Sequence, residues 1–230
     1  QPHVVCLQET WLDASAKNLE IPGYEIISRR DRYDGEFENR GGIMTLRRSD
    51  FNGLVHIGNA KMEKEERSWH FLKVGVDTIL IGNWYRPGST VHDGFSALYS
   101  ETAEYFSQVS GIVLVGDLNI HHQRWLRHSN ANTSIGAEMK CYCDFHGLFQ
   151  LVKEPTRNEY LLDLAITDMV GSSASVLSKI ADHQAVLVKL PIPEVKEVAM
   201  TREVWKLKNA KWKDLKEDLE KADWEPLRQG

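Results

Sequence analysis

Short apolar segments separated by polar turns dominate this chain, and most have the length of a β-strand rather than of a helix. The clearest is 112–115, a run of aliphatic residues that follows Gly111 and stops at Gly116. Such a run predicts a short strand buried on both faces of a sheet. Comparable patterns predict further strands at 3–10, 24–28, 41–46, 69–76, 78–85, 161–167, 176–180 and 184–190.

Two segments have helical periodicity instead. Between residues 91 and 109 the apolar side chains, such as Phe95, Leu98 and Phe106, recur at helical spacing. A second helix is predicted at 135–146, ended by Gly147. Many short strands with two clear helices favour an α+β fold, in which two sheets pack face to face as a two-layer β-sandwich and the helices flank it.

The strand pattern stops at the Pro-Ile-Pro segment 191–193. We therefore expect one domain over residues 1–192, followed at 193–230 by a linker and a helical tail. The tail is rich in Lys, Glu and Trp, with loosely periodic apolar residues. An alternative is that its helix covers the chain's own domain.

Composition narrows the class of protein. With 230 residues, of which 42% are hydrophobic, the chain can form one substantial core. No apolar run approaches the roughly 18 residues of a membrane span, and the N-terminus does not resemble a signal peptide. We therefore expect an intracellular protein without a membrane partner. The net charge of −5 argues against a general polyanion binder, although carboxylates gathered at a metal site would leave a nuclease possible.

The three cysteines cannot form a paired disulfide framework, which favours a reducing compartment. Cys141 and Cys143 stand near His146, so zinc is a minor alternative. No second pair of residues has the ligand spacing that a zinc site needs.

Polar side chains stand where several predicted strands end. Asp117 and Asn119 lie two residues apart after the central strand, so an extended backbone would project both to the same side. Glu9 ends the first predicted strand, and Asp182 and His183 separate the last two. Each of these residues taken alone is at least as often structural as catalytic.

Asp163 is a carboxylate within a predicted strand, where an apolar residue is expected. A buried carboxylate is costly unless it is paired or binds a cation. His183 is the natural partner, because a carboxylate that accepts from one imidazole nitrogen raises the basicity of the other. Together the acidic residues form an oxygen donor set suited to a hard divalent ion, with a His-Asp pair beside it. That combination is typical of magnesium-assisted cleavage of phosphate esters.

These residues resemble the motifs of the endonuclease/exonuclease/phosphatase superfamily over about residues 3–190. The matching segments are Gln8-Glu9-Thr10, Tyr85 before Arg86-Pro87, Gly116-Asp117-Leu118-Asn119, Asp163, and Asp182-His183. Within the superfamily, 83–87 and 116–122 look most like the endonuclease domain of LINE-type non-LTR retrotransposons. The resemblance implies a four-layer α/β/β/α, DNase-like fold and an enzyme that uses Mg²⁺, with Mn²⁺ as an alternative, to cleave DNA.

The resemblance also implies roles for individual residues. Glu9 would be the main metal ligand, with Asp182 completing or supporting the site. Asp117 would align or deprotonate the attacking water, or act on the leaving oxygen. His183, oriented by Asp163, would stabilise charge on a non-bridging phosphate oxygen. The substrate contacts would come from Asn119, Tyr85, Arg86 and His121.

Two departures from the family pattern stand out. Members begin with a strand that bears an asparagine supporting the metal site, followed by a helix, whereas this sequence starts at the expected second strand. We therefore expect an N-terminally truncated domain. The residue before Asp182 is often serine in these enzymes, and here it is Ala181.

In the retrotransposons a reverse transcriptase follows the nuclease, so 193–230 would lead toward such a domain in the same polyprotein, acting in the nucleus. A phosphatase, an abasic-site repair nuclease and an inactive binding relative are the alternatives. The discriminating feature is a basic DNA-binding groove. The candidate residues for its walls are Arg29, Arg30, Arg32, Arg47, Arg48, Arg124, Arg127 and Arg157.

Overall fold

The computed structural model describes residues 1–17, 19–32, 40–62, 64–88, 94–192 and 211–222. Contacts divide the chain into two compact units, residues 1–195 and 196–230. Among the helices in the described ranges, none is long and apolar enough to cross a membrane.

The first unit is rich in strands, as predicted. In chain order they are β1 (Val4–Gln8), β2 (Tyr24–Arg30), β3 (Ile43–Arg48), β4 (Leu54–Asn59), β5 (Glu66–Val74), β6 (Asp77–Tyr85), β7 (Gly111–Asp117), β8 (Phe149–Gln150), β9 (Asp163–Thr167), β10 (Ser173–Lys179) and β11 (Gln184–Lys189). The sequence did not predict β4 or β8. A bulge between His56 and Gly58 interrupts the alternation of β4, and β8 is too short to show a pattern.

The strands form three sheets. A six-stranded sheet has the order β4-β5-β6-β7-β9-β8, a three-stranded sheet the order β1-β3-β2, and β10 pairs with β11 as a hairpin. Neighbours in the large sheet are antiparallel except β6 and β7, which are parallel. Parallel neighbours need a crossover connection. Helix α1 (Gly94–Tyr105), followed by a 3-10 turn at Phe106–Gln108, lies within it.

Both predicted helices are present. The start predicted for the first, at 91–93, lies outside the described residues. Helix α2 (Ser134–His146) begins after Thr133, whose hydroxyl accepts from the Gly136 amide at 3.1 Å. It ends at Gly147, which has φ 68°, the left-handed conformation typical of a helix C-terminus.

The large sheet is covered on both faces, which explains why residues 112–115 of β7 are all apolar. One face packs against the helices through a core cluster that includes Leu114 of β7, Leu98 of α1 and Met139 of α2. The other face carries Val113, against which Val4 and Cys6 of β1 pack. The predicted α+β sandwich with flanking helices is therefore confirmed.

The second unit contains helix α3 (Trp212–Lys221). Its apolar side chains Trp212, Leu215 and Leu219 are exposed. The linker predicted before it lies outside the described residues, apart from 211.

Candidate active site

The end of β7 brings the backbone unusually close to β6. Gly116 has φ 144°, and a Cβ atom added there would lie 1.8 Å from the carbonyl oxygen of Trp84. Only glycine fits such an approach. The amide of Arg86 then donates to the carbonyl of Asp117 at 2.9 Å, so the two chain segments leave the sheet side by side.

Strand register places two carboxylates opposite each other at this end of the sheet. Asp117 of β7 is the pairing partner of Asp163 of β9. Asn119 follows with φ 46°. Its side-chain amide nitrogen donates to Oδ2 of Asp117 at 2.8 Å and to the backbone carbonyl of Arg86 at 3.0 Å. The predicted grouping of Asp117 with Asn119 is present, and the amide is fixed by two acceptors.

His183 reaches the same place from the turn of the β10–β11 hairpin. Its Nδ1 lies 2.8 Å from Oδ2 of Asp163, and its Nε2 lies 3.9 Å from Oδ2 of Asp117. The pairing of Asp163 with His183 predicted from the sequence is therefore present. It orients the imidazole so that the second nitrogen faces Asp117.

The electrostatics of this group follow from burial. Asp117 is 3% exposed. Burial, and then the charge of Asp163, raise its pKa to about 7. Burial alone would lower the pKa of His183, but the hydrogen bond and charge of Asp163 and the charge of Asp117 raise it above its ordinary value. The group therefore holds a carboxyl whose pKa is shifted toward neutral pH beside an imidazole whose pKa is raised.

Glu9 joins the site through Tyr85. Glu9 follows β1 with φ 50°, and the Tyr85 hydroxyl donates to its Oε1, while the indole of Trp11 donates to Oε2 at 3.2 Å. Burial and the hydrogen bond to Glu9 raise the pKa of Tyr85, and the charge of Asp117 raises it further. The Tyr85 hydroxyl is thus a protonated donor between Glu9 and Asp117.

A pair of side-chain amides, one of them fully buried, fixes the end of β1 against β6, and sequence reasoning missed it. Gln8 donates to Oδ1 of Asn83 at 2.6 Å, and the Asn83 amide nitrogen donates to the carbonyl of Met44 and the hydroxyl of Thr45, both at 3.1 Å. Asn83 is fully buried. Its signal in the sequence is a polar residue inside an otherwise apolar strand.

Asp182 lies beside His183 but is directed toward a different partner. Its Oδ2 is 2.7 Å from a guanidinium nitrogen of Arg157, and its side chain is largely exposed. The backbone of Gln184 also donates to the carbonyl of Thr156 at 2.8 Å, so the 156–160 loop supports the hairpin turn. A metal-binding role for Asp182 stays a prediction.

Two residues predicted to contact the substrate, Arg86 and His121, contact other parts of this chain. Arg86 is 7% exposed, and its guanidinium donates to the carbonyl of Leu118 at 3.5 Å. This burial also lowers the pKa of Arg86, and its contact with the substrate stays a prediction. His121 lies with Nδ1 3.3 Å from the Ser129 hydroxyl and its ring edge-on to Tyr160, so it orders the loop that follows β7.

Within the described ranges, one group of three or more possible metal-binding side chains is found. It comprises Asp117, Asp163 and His183, whose ligand atoms all lie within 4.8 Å of one another. The group includes neither Glu9 nor Asp182, the two ligands predicted from the family resemblance. The Cys141, Cys143 and His146 alternative for zinc is not among such groups.

The donor chemistry nevertheless fits a hard cation. Glu9, Asp117 and Asp163 supply carboxylate oxygens, which Mg²⁺ prefers. A nearby cation would also stabilise the ionised form of Asp117, which burial now disfavours.

A protein-family model for the endonuclease/exonuclease/phosphatase family matches residues 1–157. This chain belongs to that family. Its members hydrolyse phosphodiesters and phosphate monoesters. No curated protein is similar enough in sequence to count as a match.

Solved structures share the family fold at low sequence identity. The endonuclease domain of TRAS1, a telomere-specific non-LTR retrotransposon, is 12% identical over 83% of this chain and 86% of that chain, with a TM-score of 0.64. A 3′-5′ exonuclease from Neisseria meningitidis is 15% identical over 82% and 89%, with a TM-score of 0.57. An AP endonuclease from Archaeoglobus fulgidus is 14% identical over 83% and 90%, with a TM-score of 0.53.

The match to the family model ends at residue 157, before two residues of the site. Glu9, Tyr85 and Asp117 lie inside the matched residues, whereas Asp163 and His183 lie beyond residue 157. The fold brings both sets together, through strand register for Asp163 and through the hairpin turn for His183.

Proposed function

We propose that this chain is a divalent-metal-dependent endonuclease that nicks DNA and leaves a 3′-hydroxyl. The observation that carries the proposal is the arrangement of His183 between Asp163 and Asp117, with the Asn119 amide fixed on Asp117. The likeness to the TRAS1 domain supports DNA as the substrate and reverse transcription as the use of the 3′-hydroxyl.

In this reaction a water oxygen forms a bond to phosphorus, and the bond from phosphorus to the 3′ oxygen breaks. Asp117 accepts the proton of the attacking water, since its raised pKa makes the carboxylate a base near neutral pH. The departing 3′ oxygen takes up a proton from solvent and becomes the 3′-hydroxyl.

Fixed donors stabilise the charge that builds on the phosphoryl oxygens. The Tyr85 hydroxyl and the Asn119 amide bind the scissile phosphate. His183, held by Asp163, donates from its Nε2 side to a non-bridging oxygen. A Mg²⁺ or Mn²⁺ ion held by Glu9 and the neighbouring carboxylates would supply positive charge to the same oxygens.

We infer further that residues 193–230 lead toward a reverse transcriptase in the same polyprotein, with DNA nicking in the nucleus. The support is the similarity of the first unit to the TRAS1 endonuclease domain.

The test is nicking of supercoiled plasmid by the 230-residue chain with Mg²⁺, with EDTA as the control. A polymerase that extends the nicks would show the 3′-hydroxyl. Asp117→Asn and His183→Ala should abolish nicking while the protein stays folded. Parallel assays with an abasic-site duplex and a small phosphate monoester distinguish the repair nuclease and phosphatase alternatives. If the chain hydrolyses neither the plasmid, nor the abasic-site duplex, nor the phosphate monoester in the presence of metal, it is an inactive binding relative.

A further inference from the structure

Trp11 is exposed at the edge of the site, and the proposed mechanism gives it no role. Trp11 is 57% exposed. Its indole nitrogen donates to Oε2 of Glu9 at 3.2 Å, and Glu9 in turn accepts from Tyr85. The aromatic face therefore lies one hydrogen bond away from the proposed metal ligand.

The backbone holds this indole in place. The amide of Trp11 donates to the carbonyl of Gly41 at 2.9 Å, and the amide of Thr10 donates to the carbonyl of Gly42 at 3.2 Å. Both Glu9, with φ 50°, and Trp11, with φ 54°, have left-handed backbone conformations that non-glycine residues rarely adopt. Such conformations persist where the surroundings impose them, and they concentrate at ligand-binding sites.

The segments around Trp11 are bordered by arginines. The guanidinium of Arg32 lies 5.4 Å from the centre of the Tyr85 ring. The guanidinium of Arg29 donates to the carbonyl of Asp13 at 2.5 Å, which ties down the loop after Trp11. An exposed aromatic face next to a phosphoryl-transfer site is suited to a nucleic-acid base, because every base has a π-face and a neighbouring phosphate.

We propose that Trp11 stacks on a nucleobase next to the scissile phosphate and selects DNA in which that base is accessible. This inference rests on the proposed DNA nicking. A base inside an intact duplex must first leave its stack, whereas a mispaired base is already easier to extrude. The wild-type chain should therefore bind and nick a duplex with a mismatch at the cleavage site better than the fully paired duplex.

Two substitutions separate stacking from support of Glu9. Trp11→Ala removes the ring, so mismatch preference should disappear, with affinity for the mismatched duplex falling about tenfold or more. Trp11→Phe keeps an aromatic face but loses the hydrogen bond to Glu9, so most of the preference should remain. If Trp11 merely orients Glu9, both variants will lower kcat and raise the Mg²⁺ requirement equally, and KM will hardly change.

The experiment measures fluorescence anisotropy of labelled paired and mismatched duplexes in EDTA, then kcat and KM for nicking in Mg²⁺. Phe145→Ala is the matched control, because its ring is 77% exposed on α2 and contacts the rings of Tyr99 and His146. The proposal predicts a loss of mismatch preference in Trp11→Ala and wild-type behaviour in Phe145→Ala.

Unchanged preference in Trp11→Ala, or no preference in the wild-type chain, would overturn the stacking role and leave the nuclease assignment standing. A folded wild-type chain that neither binds nor nicks any of the duplexes would overturn both proposals.

Discussion

The imidazole of His183 lies with Nδ1 2.8 Å from Oδ2 of Asp163, although the two residues are 20 positions apart in the sequence. The contact joins the turn of the β10–β11 hairpin to the first residue of β9. It leaves Nε2 directed at Asp117, 3.9 Å away. The chemistry proposed for His183 therefore depends on a carboxylate that need not touch the substrate.

Asp163→Asn should lower kcat more than it changes KM. The amide keeps the shape of the carboxylate but loses the charge that raises the pKa of His183. We expect a loss of about 10- to 100-fold in kcat, as for other residues that orient a functional histidine. Asp50→Asn, which removes an exposed carboxylate paired with Arg48, is the control and should leave nicking unchanged. Equal kcat for Asp163→Asn and wild type would show that the pairing is structural only.

Glu9→Gln should abolish the response to Mg²⁺ with little change in thermal stability. The glutamine side chain can still accept from the Tyr85 hydroxyl, but it lacks the charge that a divalent ion requires. Calorimetric titration with Mg²⁺ and a thermal melt measure the two effects separately. Wild-type Mg²⁺ affinity in the variant would exclude Glu9 as the main ligand and favour the group of Asp117, Asp163 and His183.

Local patterns predicted most of the strands, both helices of the first unit and the pairing of Asp163 with His183. They did not predict the ion pair between Asp182 and Arg157 or the amide pair of Gln8 and Asn83. Both are long-range polar contacts set by how loops and strands pack, and one sequence does not specify which distant partner a polar side chain meets. Burial of Arg86 was missed for the same reason, since a charged residue after a strand is usually exposed.

Gly116→Ala should destabilise the fold strongly and disrupt the site. The added Cβ would overlap the carbonyl of Trp84, and the backbone conformation at φ 144° disfavours any side chain. We expect a loss of about 2–4 kcal/mol in the free energy of unfolding, measured in urea. Gly147→Ala is the matched control, since no atom lies within 4 Å of its added Cβ. It should cost only the left-handed backbone strain, about 1–2 kcal/mol. If the two variants lose similar amounts of unfolding free energy, then β6 and β7 can move apart enough to accommodate a side chain at residue 116.

Acid should destabilise the fold through a histidine outside the site. His70 of β5 is fully buried, with Nε2 2.8 Å from the Ser28 hydroxyl and its ring centre 5.3 Å from that of His56. Burial, and then the charge of His56, lower the pKa of His70 to about 4. Above pH of about 6.5 the side chain is neutral in both folded and unfolded chains, so it adds no pH dependence.

Between pH of about 6.5 and 4 the unfolded chain takes up a proton at His70 and the folded chain does not, so stability falls as the pH falls. The full effect at one residue is about 3 kcal/mol, reached near pH 4. Urea unfolding at pH 7.5 and pH 5 should show a smaller difference in His70→Gln than in wild type. His56→Gln should also reduce the difference, but by less, because it removes only the smaller of the two causes that lower the pKa of His70. Identical pH dependence in wild type and His70→Gln would mean that other groups cause the acid sensitivity.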